Sequence, residues 1–392
     1  MLTHLTRRLQ AARVLAARPE EVLLVSTPTE QERYTRILSG SARVYPLGIA
    51  PVTVVRTDAE GLTDLVSAWS GARKSATLAK DLNLDDLLSI EISNPVQGSV
   101  RVNRIETHEE EPWNLRLIGQ PEAREHTGGA GISVAVLDTG IDYDHPDISP
   151  RFTSDKGTVT IGRGDPLDRN GHGTHVAGTI AGKHVGVADE VTLYAVKVLN
   201  DYGGGTDGSV MRGIDWAARK GVDIVNMSLG GPGKTRAFQM VIDAAHEQGM
   251  TLVAAAGNDG REVASYPAAY EHVISVAALD RNKQRAHFSN RHRTLDLSAP
   301  GVSIYSLAPR GGYATLSGTS MASPHIAGCV ALLRSVSERD PEPSLKRTAE
   351  DRGNWIEYGA GLARIDRAIT SERSGTSRTL STMNHLLKRY LL

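Results

Sequence analysis

The sequence predicts an α/β fold: a mostly parallel sheet with helices on both faces, preceded by a small α+β domain. Three observations predict it. From Gly131 onward, short apolar β-branched runs alternate with helical segments, which is the order of βαβ units. Those runs lack polar alternation, as strands buried on both faces do. Before Gly131 the order changes to two hairpin-forming strands framed by helices and outer strands, which is not a parallel pattern.

The opening segment, Met1 to Arg18, is basic and acid-free, with Arg7, Arg8, Arg13 and Arg18. It reads as an amphipathic helix, the alternative being an organellar transit peptide. Glu21 to Thr27 is a strand and Thr29 to Leu38 a helix stopped at Gly40. Ala42 to Leu47 and Pro51 to Arg56 are strands joined through Gly48. Asp58 to Gly71 is a helix with Leu62, Leu65, Val66 and Trp69 on one face, and Leu87 to Ile92 is a fourth strand. The order β-α-β-β-α-β is ferredoxin-like. A linker follows from Asn94 to Glu111, with a solvated acidic run at Glu109–Glu111. Pro112 to Gly129 forms a helix leading into a glycine turn. Strands are expected at Val134–Asp138, Val191–Val198, Val222–Met227, Thr251–Ala256 and Val273–Ala277. Helices are expected at Thr174–Ile180, Ser209–Lys220, Thr235–Gln248 and from Ser320. The domains are thus 1–109, 110–370 and a Ser/Thr/Arg-rich tail, 371–392.

The chain has 392 residues and a formal net charge of -1, so nothing points to nucleic acid. No stretch approaches the length of a membrane span. Cys329 is the only cysteine, which excludes an internal disulfide. With no secretory signal at the start, the expected location is cytoplasmic, or organellar if the basic opening segment is an address.

Three segments carry chemistry. Asp138 ends the run Val134-Ala135-Val136-Leu137 and precedes Thr139-Gly140. His172 lies in Asn170-Gly171-His172-Gly173-Thr174-His175. Ser320 lies in Gly318-Thr319-Ser320-Met321-Ala322-Ser323-Pro324. A serine hydroxyl is a poor nucleophile at neutral pH. It needs an imidazole to take its proton and a carboxylate to hold the right tautomer. Asp-Thr-Gly also marks aspartic proteases, but those pair two such carboxylates, and this chain has one. His172 and His175 do not match the zinc pattern, which spaces its histidines by four with a glutamate between. Gly171 and Gly173 leave room for a substrate backbone, and Pro324 is tolerated in the first helical turn. A turn and N-cap would explain Ser320 alone, but not the two upstream segments.

As a set, in the order Asp, His, Ser, these motifs resemble the subtilases over about residues 112–370. The resemblance implies a serine endopeptidase acting on polypeptides, with Asp138, His172 and Ser320 as the triad. It assigns Asn258, at the end of Leu252–Gly257, to the oxyanion hole beside the Ser320 N–H. Ser228-Leu229-Gly230-Gly231 is similar to the strand that pairs with substrate backbone, and Gly204 and Gly205 lie where the facing strand runs. Ser265 falls at the floor of the S1 pocket, with an apolar or aromatic P1 residue expected, and Met321 near the leaving group. The N-terminal domain resembles a propeptide: an intramolecular inhibitor, with self-cleavage expected within 105–112. No cofactor is required for the chemistry. Asp142 matches one ligand of a structural Ca2+ site, though the loop Ala181–Val187 lacks oxygen-bearing side chains, and Asp296 resembles a weaker, monovalent cation site. Two other readings of the same residues are a peptide ligase and a silent peptide-binding module. Activity is expected to rise with pH through the ordinary histidine range.

Overall fold

The structure is a computed structural model and describes residues 20–26, 31, 35, 43–50, 52–57, 87–92, 95–98, 101–102 and 112–374. The opening basic segment, the acidic run, the expected helix at 58–71 and the tail from 375 lie outside the described residues, as does nearly all of the expected helix at 29–38.

Four N-terminal strands appear where the sequence predicts them: β1 (Glu20–Ser26), β2 (Arg43–Pro46), β3 (Val52–Thr57) and β4 (Leu87–Ile92). They form an antiparallel sheet in the order β2-β3-β1-β4. Two very short strands follow in the linker, β5 (Pro95–Gln97) and β6 (Arg101–Val102). Neither is anticipated from sequence.

Helices α1 (Trp113–Ile118) and α2 (Gln120–Arg124) lead into β7 (Ser133–Asp138). Then come β8 (Gly157–Val159), α3 (His172–Ala181), β9 (Thr192–Lys197), β10 (Gly204–Thr206), α4 (Asp207–Lys220), β11 (Ile224–Met227), α5 (Arg236–Glu247), β12 (Thr251–Ala255), β13 (Val273–Leu279), β14 (Leu297–Pro300), β15 (Ile304–Ala308), β16 (Gly312–Ser317) and α6 (Thr319–Arg334). Seven of these strands make one parallel sheet, β14-β13-β12-β11-β7-β9-β8. Strand periodicity explains its two covered faces. Val134 and Val136 of β7 point into the core beneath α3 and α6, while Ala135 and Leu137 point into the core beneath α4 and α5. Helix α4 is started by a capping box, in which Thr206 and Ser209 bond each other's backbone N–H.

Leu23, Val25, Val52 and Val54 of the N-terminal sheet belong to the same core as α4 and α5. Polar contacts fix where that sheet sits. Glu21 pairs with Arg212 at 3.1 Å and accepts the Thr206 hydroxyl at 2.6 Å. The Tyr45 ring lies 4.4 Å from the Arg212 guanidinium. Asp215 accepts the N–H groups of Gly48 and Ile49 at 2.6 and 3.1 Å. A buried ion pair adds little net stability, but it penalises any other docking that would leave one charge unpaired.

Candidate active site

Asp138 is the last residue of β7, and β7 is the strand from which the parallel sheet grows in both directions. Ligand sites in open α/β sheets collect at the carboxyl ends of strands near such a point. His172 is the first residue of α3. Its Nδ1 lies 2.7 Å from Asp138 Oδ1, which also accepts the Thr139 N–H at 2.7 Å. The helix can start this close to β7 because Gly173 has no side chain. A Cβ there would sit 2.0 Å from the Gly140 carbonyl oxygen. Gly173 therefore serves helix–turn packing, not the substrate clearance expected from sequence.

Ser320 is the second residue of α6. Its hydroxyl donates to the Ser228 carbonyl at 3.0 Å. His172 Nε2 is buried with no hydrogen-bond partner among the described residues. Catalytic hydrogen bonds commonly tighten only when substrate binds. Pro324 lies in the second turn of α6, not the first. It lacks the N–H that would reach the Ser320 carbonyl four residues back. The Ser228 hydroxyl supplies that bond instead, at 2.8 Å, and in turn accepts from Asn226 Nδ2 at 3.0 Å. The proline thus frees a carbonyl that locks the helix carrying Ser320 onto the segment that follows β11.

Asn258 follows β12 and lines the same cleft as Ser320. Its Oδ1 accepts from the Thr319 N–H at 2.8 Å and the Thr319 hydroxyl at 2.9 Å. These two contacts fix which end of the Asn258 amide faces Thr319. The Ser320 N–H lies in the first turn of α6, where the helical ladder has no acceptor for it. Asn258 and the start of α6 thus line one cleft, where the helix N-terminus favours negative charge.

The proton affinity of His172 is set by opposing effects. Burial disfavours the imidazolium, but the Asp138 carboxylate, its hydrogen bond and the nearby Asp168 outweigh this and raise the pKa above its ordinary value. An imidazole must be neutral to accept a proton, so raising its pKa moves the active range upward. The rising limb of kcat/KM against pH is expected above about 6.5, the unperturbed histidine value. A limb centred below that value, read on a neutral peptide, would contradict the balance of charges around His172. His175 and His325 behave oppositely: burial lowers them to about 3 and about 4, and both stay neutral. His175 Nε2 faces the Ile304 and Ala314 carbonyls, and His325 bridges Met321 O and Asn114.

The cleft beside Ser320 has a volume of about 610 Å³ and is lined by residues including Leu229, Gly230, Gly231, Ala255, Asn258 and Ser265. The linker itself enters this cleft. Strand β5 pairs antiparallel with β10, Gln97 opposite Gly204 and Val96 opposite Gly205. On its other edge Gln97 exchanges both backbone hydrogen bonds with Gly230, at 3.1 Å each. Val96 is 3 % exposed and packs into the core with Leu229 and Val210. Gly98 donates to the Gly203 carbonyl at 3.1 Å, and a Cβ on Gly98 would lie 3.5 Å from the His172 ring. Beyond the triad, β6 pairs with β16, Arg101 opposite Ser317.

Several expectations are corrected. Met321 is wholly buried in the core beneath α6 and does not line the cleft, because helix geometry turns it inward. One oxygen of Asp142, the expected calcium ligand, accepts the Arg310 N–H at 2.7 Å. Asp296 already holds a cation of the chain's own, the Lys346 ammonium at 2.7 Å, while its other oxygen accepts the Ser275 N–H at 2.9 Å. Among the described residues, no group of three His, Cys, Asp or Glu side chains is arranged to hold a metal ion. Cys329 is buried, and burial raises its thiol pKa far out of the reactive range. Sequence reasoning missed Asp168, whose buried carboxylate joins the Asp138 and His172 segments. Its only signal was a carboxylate shortly before Asn170-Gly171, ahead of a helix start.

The family model described as "Subtilase family" matches residues 129–361. Subtilisin DY of Bacillus licheniformis is 43% identical over 271 residues, covering 66% of this chain and 98% of that protein. M-protease of Shouchella clausii is 42% identical over 272 residues, covering 66% of this chain and 69% of its own. Subtilisin Savinase of Lederbergia lenta is 41% identical over 272 residues, covering 66% of this chain and 98% of its own. These matches overturn the cytoplasmic expectation. The subtilisins and alkaline proteases among them point to an extracellular location instead. A motif set of this specificity, on this sheet and with these relatives, makes the chain a member of the subtilase family of serine endopeptidases.

Proposed function

We propose that Ser320 is the nucleophile, His172 the general base and then acid, and Asp138 the group that orients His172, in an endopeptidase made as a self-processing zymogen. The observation that carries this reading is the 2.7 Å Asp138–His172 contact beside Gly98, next to Gln97, which lines the Ser320 cleft. A substrate strand lies between residues 203–205 and 229–231, held by backbone pairing. His172 Nε2 takes the hydroxyl proton as Ser320 Oγ attacks the carbonyl carbon. The resulting oxyanion is met by the Asn258 amide and the Ser320 N–H. His172 returns the proton to the leaving amine, and water then releases the acyl group by the same steps in reverse order. Structural calcium is common in subtilases; Asp296 is already paired with Lys346, and no step of this mechanism relies on a metal.

The N-terminal domain acts in this reading as the first substrate and then as an intramolecular inhibitor. Strand pairing up to Gly98, which lies beside the His172 ring, and again from Arg101, which lies opposite Ser317 of the Ser320 cleft, supports it. This register moves the proposed cut from 105–112 to the Ser99–Val100 bond. Intact mass and N-terminal sequencing of purified protein test it. Val100 is the expected new N-terminus, and an active enzyme that starts within 105–115 or stays whole would refute the assignment.

A further inference from the structure

We infer that Asp168 is a positioning residue for the catalytic histidine: its buried carboxylate ties the strand end carrying Asp138 to the helix start carrying His172. The inference rests on the protease reading above. Asp168 is 4 % exposed and touches neither His172 nor Ser320 by any hydrogen bond among the described residues. Its Oδ1 accepts the Thr139 hydroxyl, the Asn170 N–H and the Gly171 N–H, each at 2.9 Å. Its Oδ2 accepts the Thr174 N–H at 2.9 Å and the Thr174 hydroxyl at 2.7 Å. Thr139 is the residue after Asp138, and Gly171 is the residue before His172. The loop closes on itself, because the Thr139 hydroxyl also accepts the Gly173 N–H at 3.0 Å. The hydroxyl of Thr174 donates to Asp168 and receives the Asp142 N–H at 3.0 Å.

A carboxylate has about four good acceptor sites, and this one is saturated by groups flanking the two triad partners. No Lys or Arg pairs with it among the described residues. Its charge is compensated by backbone dipoles and the N-terminus of α3. A plain helix cap would need only the bonds to α3. The bond to Thr139 is what a cap does not require, and it fixes the separation of β7 and α3 that sets the 2.7 Å Asp138–His172 contact.

The same negative charge lies close enough to favour the imidazolium. The other charged or titratable groups around His172 are accounted for. Asp138 bonds it directly, and His175 is held neutral. Lys197 directs its ammonium to the Thr139 carbonyl and to Asp201 at 2.9 Å, and Arg169 is paired with Asp165 at 3.0 Å on the exposed loop.

The test compares kcat, KM and the pH profile of the processed enzyme across variants, with active sites counted by a fluorophosphonate. Asp168→Asn is expected to lower kcat about tenfold with KM changed less than about twofold, the pattern of lost transition-state geometry. Its rising limb should move to lower pH by about half a unit, because a negative charge near the imidazolium is gone. Thr139→Val keeps that charge and removes the tie. It should lower kcat several-fold with the limb unmoved, and Thr139→Ser should restore the rate. An Asp168→Asn enzyme with wild-type kcat and pH profile overturns the inference. So does Thr139→Val with wild-type kcat, which decides the matter if Asp168→Asn does not fold. A wild-type chain without hydrolysis or labelling would instead remove the protease reading itself.

Discussion

Replacing Ser320 with Ala is expected to abolish peptide hydrolysis, with kcat falling about 10⁶-fold, and to leave the chain at full length. That magnitude is carried over from subtilisin, a relative in which the triad acts as a unit and the loss of its serine costs this much. The physical reason is that nothing else nearby can form the acyl bond. The adjacent side chains are Thr319, which is committed to Asn258, and the buried Met321. Stability should hardly change. The Ser320 hydroxyl makes a 3.0 Å bond to the Ser228 carbonyl, and such a bond contributes about 1 kcal/mol. Thermal unfolding of Ser320→Ala beside wild type, a peptide assay and intact mass together check this. Trimming of the variant at the wild-type rate, in the absence of any other protease, would remove Ser320 from the nucleophile's role.

Asn258→Ala carries the second largest effect. In the proposed mechanism the amide stabilises charge that develops on the way to the tetrahedral intermediate, so its loss should fall on kcat and spare KM. The expected drop is about 10²–10³-fold, the value that belongs to subtilisin's own oxyanion-hole asparagine and is taken over from it. This variant should also lose some stability. Thr319 is buried, and its N–H and hydroxyl would lose the Asn258 oxygen, at about 1–3 kcal/mol for an unsatisfied buried group. An enzyme whose KM rises while kcat holds would show that Asn258 grips the substrate's ground state instead.

The three segments proposed to carry the triad were legible in the sequence because each lies where local chemistry is exacting: Asp138 at a strand's end, His172 between glycines, Ser320 at a helix start. The sheet was legible because its strands are buried on both faces and read as unbroken apolar runs. Strands β5 and β6 were not. Segments of three and two residues, the first opening on a proline, have no periodicity, and they are strands only because β10, Gly230 and β16 offer them partners. The inward turn of Met321 and the Lys346–Asp296 pair depend on contacts between segments far apart in the chain. The role of Asp168 was hidden for the same reason. Its partner Thr139 is 29 residues away, and nothing local distinguishes its carboxylate from an ordinary cap.

The way β5 and β6 lie in the cleft bears on which proteins the enzyme can cut. From Pro95 to Val102 the chain is paired edge-on at both ends, with one small sheet completed on each side of Ser320. Eight residues of any extended chain span roughly 26 Å. A polypeptide that replaces this segment must therefore straighten over a comparable length and give up its own internal hydrogen bonds. Helices and the inner strands of folded domains cannot do so without unfolding, whereas termini, long loops and denatured chains can. For a folded target, the rate of digestion should then track how often the target opens, and its own stability becomes the filter that decides whether it is degraded.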